Sequence, residues 1–334
     1  MKDIKQEIIN KAEEDNFSGV ISIFKNNIEI INGSFGFRNV ADSLPNEKNT
    51  KFGIASGTKL FTALGIGKLI EQQKIDLNTK IMDINKDYCT FIDCDATILN
   101  LLTHTSGIYD YYDEEKNSDS DDYFVDIPWN QLETPSDYLP LFNNKKPKFK
   151  PGERFSYSNG GFVFLGILIE EITGKTFRDY IQTNVLFPAK MKNSGFYALN
   201  ELPSNTANGY TGNGITSNIY NLPIRGGGDG GMYTNTYDLF SFWKQLSSYR
   251  ILSKDLTEIF LKTQWKFNDE KGYGCGIYKK LDDSMFYIVG GDAGVGFDSR
   301  YLPEQKIIIN IISNVTDGEE EIRSFILSKL EEIT

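Results

Sequence analysis

Histidine is almost absent from this chain of 334 residues, which contains a single one, His104. Hydrolases with a Ser-His-Asp triad need a histidine to take the proton from the nucleophilic serine. His104 could serve such a triad only beside a suitable serine, and the sequence contains no Gly-x-Ser-x-Gly turn to supply one. The sequence therefore argues against a Ser-His-Asp hydrolase.

Cysteine is also scarce, with three residues at Cys89, Cys94 and Cys275. An odd and small number of cysteines favours reduced thiols in a reducing compartment over a framework of disulfides. Cys89 and Cys94 have no neighbouring histidines or cysteines at the spacing of a zinc site. We therefore expect no metal and no other cofactor.

Long apolar runs and basic segments are missing as well. The longest apolar runs, residues 162–169 and 307–312, are too short to span a bilayer, and the charged N-terminus does not resemble a signal peptide. These features predict a cytoplasmic protein. The net charge of −11 argues against nucleic acids and anionic membranes as partners, which leaves a small molecule or a peptide as substrate. The oligomeric state stays open.

Two short motifs supply chemistry that needs no histidine. Ser56 and Lys59 are three positions apart, so on a helix they lie on the same face, and Tyr157 and Asn159 follow about a hundred residues later. A lysine or a tyrosine can activate a serine only if its pKa falls from about 10 toward neutrality. A shift of about three units corresponds to roughly 4 kcal/mol, so each group needs the other nearby.

The two ends of the chain have strand character and the middle does not. This pattern predicts a mixed α/β (α+β) fold, with an antiparallel sheet built from both ends, flanking helices and an inserted helical region. We expect a single domain over 1–334, with a sheet region (1–57 plus 235–334) and a helical region (58–234). The predicted strands are residues 20–24, 28–31, 273–279, 285–289, 296–301 and 306–313, and the predicted helices are 60–73, 162–172 and 318–332.

Further motifs follow the same order as in a known superfamily. They are Leu-Leu-Thr-His-Thr-Ser-Gly-Ile at 101–108, Pro-Gly-Glu-Arg-Phe at 151–155, Leu-Gly at 165–166 with Glu170 and Gly174, and Gly-Gly-Gly-Asp-Gly-Gly at 226–231. With Ser56-x-x-Lys59 and Tyr157-x-Asn159, they resemble the serine β-lactamase-like superfamily over about residues 15–330. The relatives in question are class C β-lactamases, DD-peptidases, penicillin-binding proteins and esterases.

The resemblance implies a role for each matching residue. Ser56 matches the nucleophile, Lys59 the neighbouring amine, and Tyr157 the phenol that relays a proton to the leaving group. Asn159 matches the amide that bonds the lysine and the substrate. The backbone N–H of Ser56, with one near Asp292 or Ala293, would form the oxyanion hole. His104 is structural in this pattern.

One motif departs from the superfamily. Its members carry Lys-Thr-Gly or His-x-Gly on the strand at the sheet edge, whereas residues 289–294 read Val-Gly-Gly-Asp-Ala-Gly. The missing cation puts recognition of a carboxylate, and therefore of β-lactams, in doubt, and a cation introduced at Gly290 should restore it. We expect a serine hydrolase that forms an acyl-enzyme with a small ester or a D-amino-acid peptide. The alternative is a catalytically weak penicillin-binding or scaffold protein.

Structural interpretations of the same residues stay open at this stage. Ser56 and Lys59 could be a helix cap and a surface lysine, Tyr157 could be a core aromatic, and Asp292 could be a hydrogen-bonded structural carboxylate. The stretch 109–126 is rich in Asp, Ser and Tyr, which predicts a solvated acidic loop that could act as a lid over the cleft.

Overall fold

A computed structural model describes residues 2–113, 121 and 123–333. The α-helices are α1 (Lys2–Glu14), α2 (Thr58–Glu71), α3 (Ile81–Ile84), α4 (Ile98–Leu102), α5 (Asn159–Thr173), α6 (Phe177–Ile181), α7 (Thr236–Ser247), α8 (Lys254–Leu261), α9 (Glu320–Ser328) and α10 (Leu330–Ile333). The strands are β1 (Gly19–Lys25), β2 (Ile28–Phe35), β3 (Phe37–Asn39), β4 (Leu44–Pro45), β5 (Phe52–Gly53), β6 (Tyr233–Thr234), β7 (Trp265–Lys266), β8 (Lys271–Tyr273), β9 (Tyr278–Lys280), β10 (Phe286–Asp292), β11 (Val295–Leu302) and β12 (Ile307–Ser313).

The main sheet has eight antiparallel strands in the order β2-β1-β12-β11-β10-β9-β8-β7. Next to the edge strand β2, the sheet joins the two ends of the chain, because β1 pairs with β12 from Gly19 opposite Ser313 to Lys25 opposite Ile307. The predicted mixed α/β fold, with its sheet built from both ends, is therefore confirmed.

Helices cover both faces of the sheet, as the apolar residues on successive strand positions require. Ile21 and Ile23 of β1 pack with α1 and α9 on one face. Val20 and Phe24, which point the other way, join the larger core formed with α2, α5 and α7. In the described part of the chain, no helix combines the length and the apolar character needed to cross a bilayer.

Local sequence signals account for several of the element boundaries. The hairpin between β1 and β2 turns at Asn26 and Asn27, whose φ angles of 52° and 65° are those of a tight turn that asparagine tolerates. Helix α5 begins where the Ser158 side chain accepts a hydrogen bond from the N–H of Gly161. It ends at Gly174, which has a left-handed φ of 67°.

Other boundaries differ from the prediction. The single strand expected over 273–279 is interrupted, because the chain turns between β8 and β9 and the N–H of Gly274 donates to the carbonyl of Ile277. The helix expected over 318–332 is two shorter helices, α9 and α10. The segment assigned to the sheet region also contains two helices, α7 and α8. Their apolar residues belong to the same core as those of the strands.

The prediction of three reduced cysteines is wrong for two of them. Cys89 and Cys94 form a disulfide with their Cα atoms 4.9 Å apart. The 3-10 turn at Lys86–Thr90 folds the chain back over this short distance, which spacing alone does not reveal. Cys275 is a free, buried thiol, and burial raises its pKa to about 12.

One buried carboxyl, beside strand β11, has too few hydrogen-bond partners to offset its loss of hydration. Glu319 is 5% exposed, lies against Gly296 of β11, and has an Oε2 atom with no hydrogen-bond partner. Its Oε1 pairs with Arg323 at 3.0 Å. Burial raises the pKa of Glu319 to about 7, against the lowering effect of Arg323.

A pH-dependent contribution to stability follows from Glu319. A carboxyl that binds its proton more tightly in the folded state favours folding below its unfolded pKa of about 4.5, and this contribution is lost as pH rises through 7. Glu319→Gln removes the charge, so we expect it to stabilise the protein at pH 8 by about 2 kcal/mol and to have little effect at pH 4.5.

Denaturant unfolding at pH 4.5, 6 and 8 measures this difference. Glu320→Gln is the matched control, because Glu320 contacts the same arginine from an exposed position. Equal effects of the two substitutions, or a Glu319→Gln effect that does not change with pH, would contradict the expectation.

Candidate active site

Ser56 lies on a strained turn that precedes a buried helix. It is the middle residue of the 3-10 turn Ala55–Gly57, directly before α2, and its side chain is partly exposed. Ala55 has a φ of 42°, a conformation that non-glycine residues rarely adopt. Such strain often marks a functional site, and here it precedes the serine that faces a cleft.

Lys59 is one helical turn beyond Ser56 and is 2% exposed. Its Nζ donates to Ser56 Oγ at 2.9 Å, to Asn159 Oδ1 at 2.7 Å and to the carbonyl oxygen of Asp229 at 2.7 Å. These three acceptors match the three N–H bonds of an ammonium group. Lys59 is therefore not the surface lysine of the structural interpretation.

Tyr157 lies on an irregular segment just before α5 and is partly exposed. The Nζ of Lys59 is 4.8 Å from the centre of its ring, within the range of a cation–π contact. The structure thus brings Tyr157 to the same ammonium group that bonds Ser56.

Asn159 is the first residue of α5 and is nearly buried. While its Oδ1 accepts from Lys59, its Nδ2 donates to the carbonyl of Tyr112 at 3.2 Å and approaches Asp110 Oδ2 at 3.4 Å. Asp110 also accepts from the N–H of Gly160 at 2.9 Å, so it caps the same helix. These bonds fix the amide orientation, with its oxygen toward the lysine.

The cleft in front of Ser56 has a volume of about 880 Å³. Its walls are mostly aromatic and loop residues, with two carboxylates, Asp229 and Asp292. The lining residues are Gly53, Ala55, Ser56, Tyr111, Tyr112, Tyr123, Trp129, Tyr138, Asn159, Tyr197, Leu199, Asn221, Leu222, Pro223, Gly226, Asp229, Gly230, Gly231, Tyr233, Gly291, Asp292 and Val295. Within the described part of the chain, no lysine, arginine or histidine belongs to this lining.

Asp229 links the cleft to the lysine, a role that the sequence prediction missed. Its carbonyl accepts from Lys59, and its carboxylate accepts from the hydroxyl of Tyr111. Burial raises the pKa of Asp229, and the nearby charge of Lys59 opposes that rise. The signal was an aspartate inside the glycine run 226–231, an unusual residue for a sequence that only turns the chain.

The end of strand β10 borders the cleft, but one of the two residues expected to supply an oxyanion N–H there does not line it. Asp292 and Gly291 line it, whereas Ala293 is buried, is not part of the lining, and donates its N–H to Asp292 Oδ1 at 3.1 Å. The backbone N–H of Ala293 is therefore turned away from the role expected for it. β10 pairs with β9 only at Phe286 and Tyr287, which leaves its later residues facing the cleft.

Gly290 cannot carry the cation that was expected to restore carboxylate binding. A Cβ atom there would overlap the carbonyl oxygen of Ile54 and lie 2.9 Å from the backbone nitrogens of Ser56 and Gly57. The strand and the serine turn thus touch through their backbones at this point. The absence of a side chain at Gly290 is a packing requirement of the turn.

The stretch 109–126 differs from the predicted solvated loop where it is described. Tyr111, Tyr112 and Tyr123 line the cleft, and Asp110 and Asp113 are nearly buried. The apolar bodies of the tyrosines explain why a segment with few aliphatic residues packs here. The remainder of the predicted lid, residues 114–120 and 122, lies outside the described residues.

No group of three or more metal-binding side chains is clustered within residues 2–113, 121 and 123–333. His104 has both ring nitrogens in contact with other residues, Nδ1 with the N–H of Ser158 at 3.0 Å and Nε2 with the hydroxyl of Tyr273 at 3.1 Å. The structure brings the three predicted catalytic residues together, because the ammonium group of Lys59 contacts both Ser56 Oγ and the ring of Tyr157.

Gly290 and Gly291 provide a matched test of how the edge strand supports the serine turn. Gly290→Ala places a methyl group against backbone atoms that cannot move aside, so we expect destabilisation by about 1–3 kcal/mol and at least tenfold slower labelling by a fluorophosphonate. A Cβ at Gly291 meets nothing closer than 3.6 Å, so Gly291→Ala should keep the stability of the parent. Thermal unfolding and labelling rates measure both, and indistinguishable variants would refute the argument.

Comparison with known proteins agrees with this site. The chain is 27% identical over 332 residues to penicillin-binding protein 4* of Bacillus subtilis (strain 168), covering 93% of this chain and 71% of that protein. It is 25% identical over 329 residues to the teichoic acid D-alanine hydrolase of Staphylococcus aureus (strain NCTC 8325 / PS 47), covering 96% and 76%. A penicillin-binding protein of Bacillus halodurans has a similar structure, with a TM-score of 0.91, 37% identity, and coverage of 96% and 99%.

The match to a family model extends over almost the whole chain. The model described as Beta-lactamase covers residues 4–328, which include the serine turn, the lysine, the tyrosine segment and the edge strand. By its sequence, its fold and the arrangement of its cleft, this chain belongs to the β-lactamase family.

Proposed function

We propose that this protein hydrolyses small D-aminoacyl esters or amides through an acyl-enzyme formed on Ser56. The observation that carries the proposal is the position of the buried Lys59 ammonium, 2.9 Å from Ser56 Oγ and 2.7 Å from Asn159 Oδ1, two residues that line an open cleft. Such a contact holds the serine hydroxyl ready for proton transfer.

In the proposed reaction, Tyr157 acts as a phenolate beside the charge of Lys59. Ser56 Oγ attacks the substrate carbonyl, and the proton of its hydroxyl passes to this phenolate oxygen. The oxyanion is bound by the N–H of Ser56 and by a backbone N–H of β10 at Gly291 or Asp292. Tyr157 then gives the proton to the leaving alcohol or amine, and the acyl group remains on Ser56. Water attacks this ester by the reverse proton path, which releases the acid and restores the serine.

Membership of the family, together with relatives that are hydrolases, makes this chain a serine hydrolase that acts on ester or amide bonds. The alternative of a catalytically weak scaffold protein is not favoured. A scaffold would have no need for a buried lysine with its three acceptors aligned on one serine. Burying a charge costs stability, and we take the retention of such a costly arrangement as support for a catalytic role.

The proposed substrate class follows from the charges of the cleft. The relative in S. aureus is named for the hydrolysis of D-alanine from teichoic acid, and an alanyl ester carries a free ammonium group. Asp229 and Asp292 give the cleft a negative lining that suits an ammonium group and disfavours a carboxylate. Penicillins carry a carboxylate, so we propose that esters and amides are better substrates than β-lactams.

The proposed location differs from the first expectation. A cytoplasmic protein was predicted partly because all three cysteines were taken to be reduced, and the disulfide between Cys89 and Cys94 removes that support. Disulfides persist mainly in oxidising compartments. We propose that the protein works in such a compartment.

Covalent labelling tests the nucleophile. We expect a fluorophosphonate to add one phosphonyl group to Ser56, with loss of fluoride, and Ser56→Ala to abolish the mass increase.

Because catalytic groups of this kind act as a unit, Lys59→Ala and Tyr157→Phe should each lower turnover of p-nitrophenyl acetate by about 10⁴ or more. Intact-mass analysis and steady-state rates are the measurements.

The matched control is Ser106→Ala, which removes a buried serine hydroxyl that is not part of the cleft lining. It should leave the labelled fraction unchanged. Labelling that persists in Ser56→Ala would show that another residue is the nucleophile.

Substrate charge is tested with three chromogenic esters that differ only at the end of the acyl group, which carries an amine, a methyl or a carboxylate. We expect kcat/KM at low salt to be at least about tenfold higher for the amine ester than for the carboxylate ester. A tenfold ratio corresponds to about 1.4 kcal/mol. The preference should shrink as added salt screens the cleft. Asp292→Asn should reduce it without removing the reaction.

Asp255→Asn is the control for this experiment, since it removes an equal charge from an exposed position on α8, outside the cleft lining. It should leave the preference unchanged. Equal rates for the amine and carboxylate esters at low salt, or a preference for the carboxylate, would exclude a role for cleft charge in substrate choice.

A further inference from the structure

His104, the only histidine of the chain, lies beneath the tyrosine of the site. It is 2% exposed, and its ring centre is 4.3 Å from that of Tyr157, with the two planes tilted by 32°. The backbone of His104 is left-handed, with a φ of 56°, which costs free energy in a residue with a large side chain. That cost is sustained only where the surrounding contacts hold the residue in place.

The same residue also binds the backbone on both sides of Tyr157. The N–H of Ser156 donates to the carbonyl of His104 at 2.9 Å, and the N–H of Ser158 donates to its Nδ1 at 3.0 Å. The segment between these bonds is neither helix nor strand, so no regular structure positions Tyr157. Two hydrogen bonds and one ring contact from His104 hold this segment, and the ammonium group of Lys59 lies over the Tyr157 ring.

These bonds define the protonation of the histidine. Nδ1 accepts a hydrogen bond from the backbone N–H of Ser158, so the ring hydrogen is on Nε2 and points to the hydroxyl of Tyr273. The ionisable groups that face the ring are Lys59, Tyr157 and Tyr273. Burial, together with the charge of Lys59, lowers the pKa of His104 well below its usual value, so the ring stays neutral at neutral pH.

We propose that His104 is a positioning residue for Tyr157, and that it sets the place and direction of the phenol from which protons move during acyl transfer. This inference rests on the proposed role of Tyr157 in the reaction. His104 is not part of the cleft lining, and its ring packs on Tyr157 while its backbone and Nδ1 bond the residues on either side of it, so the proposal is that its effect on catalysis passes through Tyr157. A positioning role differs from a general structural role in one respect. It predicts that His104 no longer increases the reaction rate once the hydroxyl of Tyr157 is removed.

A double-mutant cycle tests this prediction. The measured quantity is the rate of fluorophosphonate labelling of Ser56, which reports the chemical step even in slow variants. We expect His104→Ala to slow labelling by about 100-fold in the parent and by less than about 3-fold in Tyr157→Phe, because residues that act through one another are not additive. Equal factors in the two backgrounds would overturn the proposal and leave His104 a purely structural residue.

Two further variants keep the test decisive if His104→Ala does not fold. His104→Asn places its amide oxygen at the distance from the backbone at which Nδ1 accepts from the N–H of Ser158, and it tolerates the left-handed backbone. It should therefore recover at least tenfold of the rate lost in His104→Gln, whose amide oxygen lies one bond farther out. Tyr273→Phe removes only the partner of Nε2 and should slow labelling by about threefold or more in the parent but not in Tyr157→Phe.

These outcomes separate the inference from the proposed function. If Tyr157→Phe labels as fast as the parent, the role assigned to Tyr157 fails, and the positioning role falls with it. If Tyr157→Phe is slow but the His104 and Tyr273 substitutions act equally in both backgrounds, the proposed function stands and the positioning role is wrong. Thermal unfolding of each variant checks that the rate differences do not follow stability.

Discussion

The buried ammonium of Lys59 is the interaction on which the site depends. Its three hydrogen bonds join three distant parts of the chain, the turn at Ser56, the start of α5 at Asn159 and the glycine run at Asp229. A buried charge that loses a partner is costly, by about 3–5 kcal/mol where such pairs have been broken. The lysine therefore holds the catalytic elements together by the same contacts that prepare Ser56 for reaction.

Each of the acceptors is in turn held by a second group. Asp110 binds the amide of Asn159 and caps its helix, while the hydroxyl of Tyr111 binds the carboxylate of Asp229. The positive charge thus lies between two nearly buried carboxylates that belong to neighbouring segments. Of these two carboxylates, Asp229 belongs to the cleft lining, where it adds to the negative charge of Asp292.

The sequence was sufficient for the parts of the molecule that local patterns determine. Alternating apolar residues and paired asparagines located the first hairpin, and Gly174 located the end of α5. The sequence was insufficient for features that depend on contacts between distant segments. The disulfide, the break after β8, the carboxylate of Asp229 and the buried position of Ala293 all depend on which segments meet in space. Composition also misled, because tyrosines in an acidic stretch were counted as polar although their rings form the wall of the cleft.

The pairing of β1 with β12 has a consequence for how the protein is made. The turn that carries Ser56 rests on β10, and β10 is held in the sheet by β11 and β12, which leave the ribosome long after that turn. Synthesis therefore places Ser56, Lys59 and Tyr157 in the emerging chain long before their support exists. Sheets closed by such distant strands fold slowly. Ser56 of the nascent chain should accordingly not become acylated until β10, β11 and β12 have joined the sheet.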